Sequence, residues 1–358
     1  MAGRVPPKNL FGMDRSQLET VCAAFDQRAF RARQIYAWLY DKRVTSVDAM
    51  TNLPQALREQ LQKHHEMRWP AVAQRRTSTD GTIKYLFRLD DAAMVESVFI
   101  PEPTRRTLCL SSQAGCALRC AFCLTGVGGF RRNLEAGEIL GQAAAAMAAS
   151  DAGGLPWNVV MMGMGEPLLN YDATMTAVRV LMDPKGFAIP PRRLTVSTVG
   201  ILPALERLAD EPVRPNLAIS LHAAHPGLRA QLMPIEGRYP LEKVIDVARR
   251  YRAPRGGRIT FEYVLLKGVN DSPAEARALA RLLGRVRAKV NLIPLNPAPE
   301  IPFETPEPER VDAFARILVD SRATVSVRRS RGADILAACG QLHLAHNPTR
   351  PHSRPSRA

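Results

Sequence analysis

A chain of 358 residues, 46% hydrophobic and 23% charged, has the balance of a soluble globular protein with one large core or two smaller ones. No apolar run approaches the roughly 18 residues of a membrane span, and the opening MAGRVPPKNLFGMDRSQ has no apolar signal core, so a cytoplasmic protein with no membrane partner is expected. Lys and Arg number 49 against 34 Asp and Glu, a net +15.

The first 70 residues read as a small helical module, with apolar returns at helical spacing through SQLETVCAAFD, RARQIYAWLYDK and AMTNLPQALREQLQKH. Residues 71–104 change character: TIKYLFRL and MVESVFI are β-rich runs bounded by Asp-Gly and Asp-Asp, a connecting β segment. From about residue 105 to 342, β-branched runs (TLCLSS, WNVVMM, RLTVST, NLAISL, ITFEYVLL, KVNLIPL, TVSVRR) mostly alternate with helical patterns such as LEAGEILGQAAAAMAAS and PAEARALARLLGRV. That rhythm predicts a parallel α/β architecture, either a partial barrel or an open doubly wound sheet. Residues 343–358, rich in Pro and Arg, are expected to be a disordered basic tail. They hold three cations (Arg350, Arg354, Arg357) and no acid, so the body alone carries +12. Such a body suits a nucleic-acid partner, although an Arg-rich proteome would give the same sum.

Unusual polar motifs fall just after the strands: SSQAGC after TLCL, GMGEP after WNVVMM, STVG after RLTV, SLHA after NLAI and NP after LIPL. In either architecture ligands gather at the C-terminal ends of the strands, so one rim collects the chemistry. Three of six cysteines, Cys116, Cys120 and Cys123, crowd into eight positions, which suits a metal or redox site in a reducing compartment. Three thiolates cannot complete a four-ligand structural zinc site without a remote ligand such as His222. They can hold three irons of a [4Fe–4S] cube and leave the fourth open.

Cys-x-x-x-Cys-x-x-Cys after the first barrel strand resembles the radical S-adenosylmethionine (SAM) enzymes, in which SAM takes the open iron. The series LCLSSQAGCALRCAFCLTGVGGFRRNLEAGEI, GMGEPLLN, STVG, ISLHA, FEYVLLKGVND, LIPLNP and RGADILAACGQL resembles the RlmN/Cfr family of adenine-C-methylating RNA enzymes over roughly residues 20–342. The resemblance implies a radical SAM partial (β/α)6 barrel with a small N-terminal helical accessory domain. It implies one [4Fe–4S] cluster and two SAM per turnover, and adenosines of 23S rRNA and of tRNA as substrates. A reducing donor such as flavodoxin and a monomeric state are expected.

By the same resemblance Cys339 becomes an S-methylcysteine, Cys109 resolves the covalent RNA adduct through a transient disulfide, and Glu96 is the proton acceptor. Gly165, Glu166, Ser197, Ser220, Leu221, His222 and Asn296 fall at SAM-binding positions. Cys22 matches nothing in the pattern and reads as helix core, as Met161, Met162 and Met164 read as packing. Leu124 and Glu236 depart from the family, which more often has Ser or Ala and Asn there. Reaching carbon 2 of a stacked adenine implies base flipping. Arg105, Arg106, Arg131, Arg132, Arg328, Arg329 and Arg331 are candidate phosphate contacts. Cfr-like methylation at carbon 8, a radical SAM enzyme with a small-molecule substrate and a zinc-stabilised RNA-binding module are the rival readings.

Overall fold

In the computed structural model, which describes residues 8–150, 153–284 and 286–343, the N-terminal stretch folds as three helices. They are α1 (Arg15–Ala23), α2 (Phe30–Tyr40) and α3 (Gln55–His64). A reciprocal Asp14–Gln17 capping box starts α1, satisfying backbone donors that would otherwise be orphaned. The helical spacing buries Leu18, Cys22, Ile35, Leu39, Leu57 and Leu61, so Cys22 is core as its pattern suggested. The short strands β1 (Lys8–Asn9) and β2 (His65–Glu66) pair in parallel and close the module. Residues 344–358, which hold almost all of the expected tail, lie outside the described residues.

The 71–104 segment is more than a connector. Its strands β3 (Ala71–Thr77), β4 (Ile83–Arg88) and β5 (Met94–Glu102) run antiparallel, and β5 pairs with β6 (Arg105–Cys109). They thereby extend the main sheet. β3 has no apolar alternation because every residue along it is exposed; Arg75 and Arg76 sit on this edge, where charge discourages pairing with another chain.

After β6 come β7 (Gln113–Gly115), α4 (Leu124–Val127), β8 (Phe130–Asn133) and α5 (Ala136–Ala148). Strand and helix then alternate: β9 (Trp157–Met161), α6 (Tyr171–Met182), β10 (Leu194–Thr198), α7 (Leu202–Asp210) and β11 (Asn216–Ser220). Two helices follow, α8 (Pro226–Leu232) and α9 (Leu241–Arg250), then β12 (Ile259–Leu265), α10 (Pro273–Leu283), β13 (Ala288–Pro294), α11 (Pro308–Asp320) and β14 (Thr324–Val327). Among the described residues one sheet has the order β14-β13-β12-β11-β10-β9-β6-β5-β4-β3. From β6 to β14 every pairing is parallel, and the six strands β6 and β9–β13 carry β14 at their far edge. Thr107, Asn158, Thr195, Thr260, Asn291 and Ser326, from strands spanning β6 to β14, line a single cavity. A flat sheet could not do this; the sheet curls into an open barrel. Among the described residues no helix is long and apolar enough to cross a membrane.

The N-terminal module docks on this barrel by close backbone contact at the start of α5. A Cβ on Gly137 would lie 2.2 Å from the Phe11 carbonyl oxygen, and one on Gly12 would lie 2.4 Å from the Gly137 nitrogen. Neither neighbour is a flexible side-chain end. Gly137→Ala is expected to lower unfolding stability by about 1–3 kcal/mol, the cost of an overpacked contact, read as a lower urea midpoint; an unchanged midpoint would show that the module does not dock this way.

Candidate active site

The three clustered cysteines sit on a loop with a tied neck. β7 and β8 pair on either side of it, and Cys116 N donates to Gly129 O at 2.8 Å. Gly115 has φ +83°, and a Cβ there would meet Gly129 O at 1.9 Å, so only glycine closes the neck. On its far side the loop is held by Ala121 N, which donates to Leu232 O at 2.9 Å. The cysteines therefore come from a braced excursion between two paired strands.

Strand ends complete a cleft beside the cysteine loop. Cys116, Cys120 and Cys123 line it together with Gly165, Glu166 and Cys339. Ser197, Ser220, His222 and Asn296 line it as well. Leu221 does not: its side chain is fully buried and its amide donates to Glu262 O at 3.0 Å. Glu166 is buried; its oxygens accept from Leu168 N and Val199 N, both at 2.9 Å. Burial pushes its carboxyl up to about 7 against these hydrogen bonds. A carboxylate offers about four acceptor positions, so Glu166 can still take a donor from the cleft. Met161 and Met164 are buried as expected, and Met161 and Met162 both line the cleft.

The segment carrying Cys339 is stitched to the cysteine loop. Leu124 N donates to Gly340 O at 2.8 Å, and Thr125 Oγ1 donates to Leu342 O at 2.7 Å. Asn296 Nδ2 reaches Cys339 O at 3.2 Å. Leu124, one departure from the family pattern, is buried and supplies the first of these bonds through its backbone, so the side-chain change leaves the tether intact. Cys339 is exposed and lines a second cavity that it shares with Cys109, Cys123, Met162 and Arg328. Burial pushes the Cys109 thiol up to about 12, Cys339 adds to this, and Arg328 opposes it. Cys109 and Cys339, far apart in sequence, thus face one space that Arg328, Arg329 and Arg331 also line.

Glu96 is placed differently from an exposed strand carboxylate. It is 2% exposed and lines neither cavity. Its Oε1 pairs with Lys84 Nζ at 2.9 Å and its Oε2 accepts from His343 N at 2.9 Å. Lys84 also donates to Leu336 O at 3.1 Å, so Glu96 and Lys84 together hold down the Cys339 segment. The Arg candidates divide. Arg105 pairs with Glu102, and Arg132 with Asp91 and Glu138. Arg131 reaches Asp91 and Arg331 reaches Asp80 at longer range. Arg106 donates to Glu102 O at 2.8 Å. Arg328 faces the cavities, and Arg329 lines the second of them.

The donor set fits an iron–sulfur cube. Burial pushes the Cys116 thiol up to about 12 and holds Cys120 well above its ordinary value; such thiols ionise when a metal cation is bound. Among the described residues no three His, Cys, Asp or Glu side chains converge as a single metal ion requires, whereas a cube spreads its thiolates over separate irons. His222 is poorly suited to complete a zinc site. Its Nδ1 accepts from Val264 N at 2.9 Å, which puts the proton on Nε2 and leaves no ring lone pair for a metal. Burial holds the ring neutral, its value lowered to about 3, and Phe122 packs on it edge-on at 4.6 Å.

Arg229 braces the floor of the loop. Fully buried, it pairs with Glu236 and donates to Val199 O at 2.7 Å. Glu236, the other departure from the family, also accepts from Leu241 N at 3.0 Å and so caps α9. Arg229 ties α8, whose last carbonyl holds Ala121, to the end of β10.

Fold and site together define a radical SAM enzyme, and residues 110–280 match the family model of the Radical SAM superfamily; such enzymes carry a [4Fe–4S] cluster and use SAM. Residues 8–67 match the ribosomal RNA large subunit methyltransferase N-terminal domain. The dual-specificity RNA methyltransferase RlmN of Syntrophobacter fumaroxidans is 47% identical, over 91% of this chain and 95% of that one. Its namesake from Marinobacter nauticus is 44% identical, over 96% and 94%. The crystal structure of a radical SAM methyltransferase from Sphaerobacter thermophilus superposes with a TM-score of 0.87 at 46% identity, over 94% of this chain and 100% of that one. The chain belongs to the RlmN family.

Breaking the brace has a defined cost. Arg229→Ala leaves Glu236 buried without its cation and is expected to lower stability by about 3–5 kcal/mol, measured by chemical denaturation, while Arg229→Met with Glu236→Leu recovers most of it. Equal losses in the single and double variants would contradict the pairing.

Proposed function

We propose that this enzyme, a SAM-dependent radical RNA methyltransferase, places a methyl group on carbon 2 of an adenosine in 23S rRNA and of one in tRNA, carrying the carbon on Cys339. When bound, the cluster and SAM supply a methyl group to Cys339 and, from a second SAM, a 5′-deoxyadenosyl radical that activates that S-methyl. Cys339 is suited to the carrier role because it is exposed and lines both the three-cysteine cleft and the Cys109 cavity. That shared placement is the observation on which the reading rests.

Cys109 acts as the resolving thiol. Its sulfur attacks the Cys339 sulfur, the Cys339 S–C bond breaks, a disulfide forms, and the base-bound carbon takes up a proton to become methyl. The thiol's raised value means that it must be deprotonated for this step; Arg328, in the same cavity, is the cation that favours the thiolate. Glu96 is the acceptor of the carbon-2 proton. Because both its oxygens are engaged, this role requires the Cys339 segment to shift so that His343 N releases Oε2. A monomer in the cytoplasm, reduced by a flavodoxin-type donor, completes the reading.

Cys339→Ala is expected to abolish methyl transfer while the absorbance of the cluster near 400 nm persists in anaerobic preparations; turnover by that variant would remove the covalent route. Cys109→Ala is expected to accumulate a protein–RNA crosslink visible on denaturing gels, and clean product release would deny Cys109 its role. Mass spectrometry of digested RNA locates the methyl, and a carbon-8 product would favour the Cfr-like rival.

A further inference from the structure

Among the described residues, no hydrogen bond completes the buried carboxylate of Glu262. It lies on β12, 4% exposed. Its Oε1 accepts from Asn291 Nδ2 at 3.0 Å, and Asn291 Oδ1 accepts from Ser326 Oγ. These three residues stand directly opposite one another on β12, β13 and β14, so the ladder fixes the carboxylate's orientation. Among the described residues its Oε2 has no hydrogen-bond partner, and buried polar atoms in folded proteins are almost always satisfied. Glu262 lines the three-cysteine cleft and also the barrel-interior cavity, which contains none of the cluster cysteines. A donor from a molecule bound in either cavity would complete it.

Arg328, at the end of β14, lines the same two cavities, and it shares a third with Cys109 and Cys339. That third cavity does not reach Glu262, and the barrel-interior cavity that Arg328 shares with Glu262 does not reach Cys339, so Arg328 stands between the two. Carbon 2, ring nitrogen 1 and the exocyclic amine follow one another along one edge of adenine. The order Cys339, Arg328, Glu262 offers that edge a sulfur, a donor and an acceptor in matching sequence. We propose that Glu262 and Arg328 are the residues that read the target base, Glu262 accepting from the adenine amine and Arg328 donating to the ring nitrogen beside it. A guanine would present a carbonyl oxygen to the carboxylate and be rejected. This inference rests on the reading that Cys339 attacks carbon 2.

The test uses the holoenzyme and tRNA whose target adenosine is kept or replaced by purine riboside, which lacks only the amine. The wild type is expected to favour adenosine about 10- to 100-fold, in methyl transfer and in equilibrium RNA binding alike. Glu262→Gln is expected to lose most of that preference, since its amide must oppose either the Asn291 donor or the base amine. SAM affinity and reductive SAM cleavage stay unchanged. Should Glu262→Gln fail to fold, by circular dichroism and cluster absorbance, Ser326→Ala on the partly exposed edge strand releases Asn291 and is expected to shrink the preference instead. An unchanged preference in the folded variant overturns the proposal. So does weakened SAM binding with the preference intact, which would give the carboxylate to the cofactor's own adenosine. Because the preference is also read by binding, a failure of the Cys339 chemistry would leave that arm standing and be recognised separately.

Discussion

Two hydrogen bonds hold the site together: Leu124 N to Gly340 O and Thr125 Oγ1 to Leu342 O. The first uses an amide at the start of α4, where a helix has no internal acceptor to offer, and the second uses the Thr125 hydroxyl. The partner carbonyls belong to the segment carrying Cys339, so donors of one loop position the other. Such a tether is specific yet reversible. Leu336, at φ +53°, is a non-glycine residue in the left-handed region, a conformation that persists only when its surroundings impose it. Lys84 does so by bonding its carbonyl. The Cys339 segment is thus clamped at both ends and exposed in the middle.

Electrostatics gives the cleft an acidic, buried character. Burial disfavours charge on Cys109, Cys116, Cys120 and Glu166 alike. The few cations placed among them, Arg229 below the loop and Arg328 at the second cavity, do not offset so many acidic groups. A site built this way gains most from cationic ligands, which an iron–sulfur cube and a sulfonium cofactor both provide. The same dryness that makes the free thiols reluctant to ionise would shield a radical from water.

The two departures from the family pattern show how a fold absorbs substitution. Leu124 contributes its backbone to the tether and its side chain to the core, so any residue that buries well can stand there. Glu236 forms half of a buried ion pair. It remains tolerable because Arg229 and the Leu241 amide both satisfy it, the condition under which a buried charge is stable.

Much was legible in the residues alone. Hydrophobic periodicity separated the helical module from the strand–helix alternation, and the position of each polar motif after its strand foretold a common rim. The cysteine spacing implied three ligands. These features are local, carried by side chains within a few positions of one another. β3 escaped because an edge strand with no buried face has no alternation to read. The burial of Glu96, the withdrawal of Leu221 from the cleft and the unpartnered oxygen of Glu262 also escaped, and for another reason. Each depends on Lys84, His343, Glu262, Asn291 or Ser326 arriving from another strand or loop, and contacts set by the curl of the barrel leave no trace in the order of residues along any single strand.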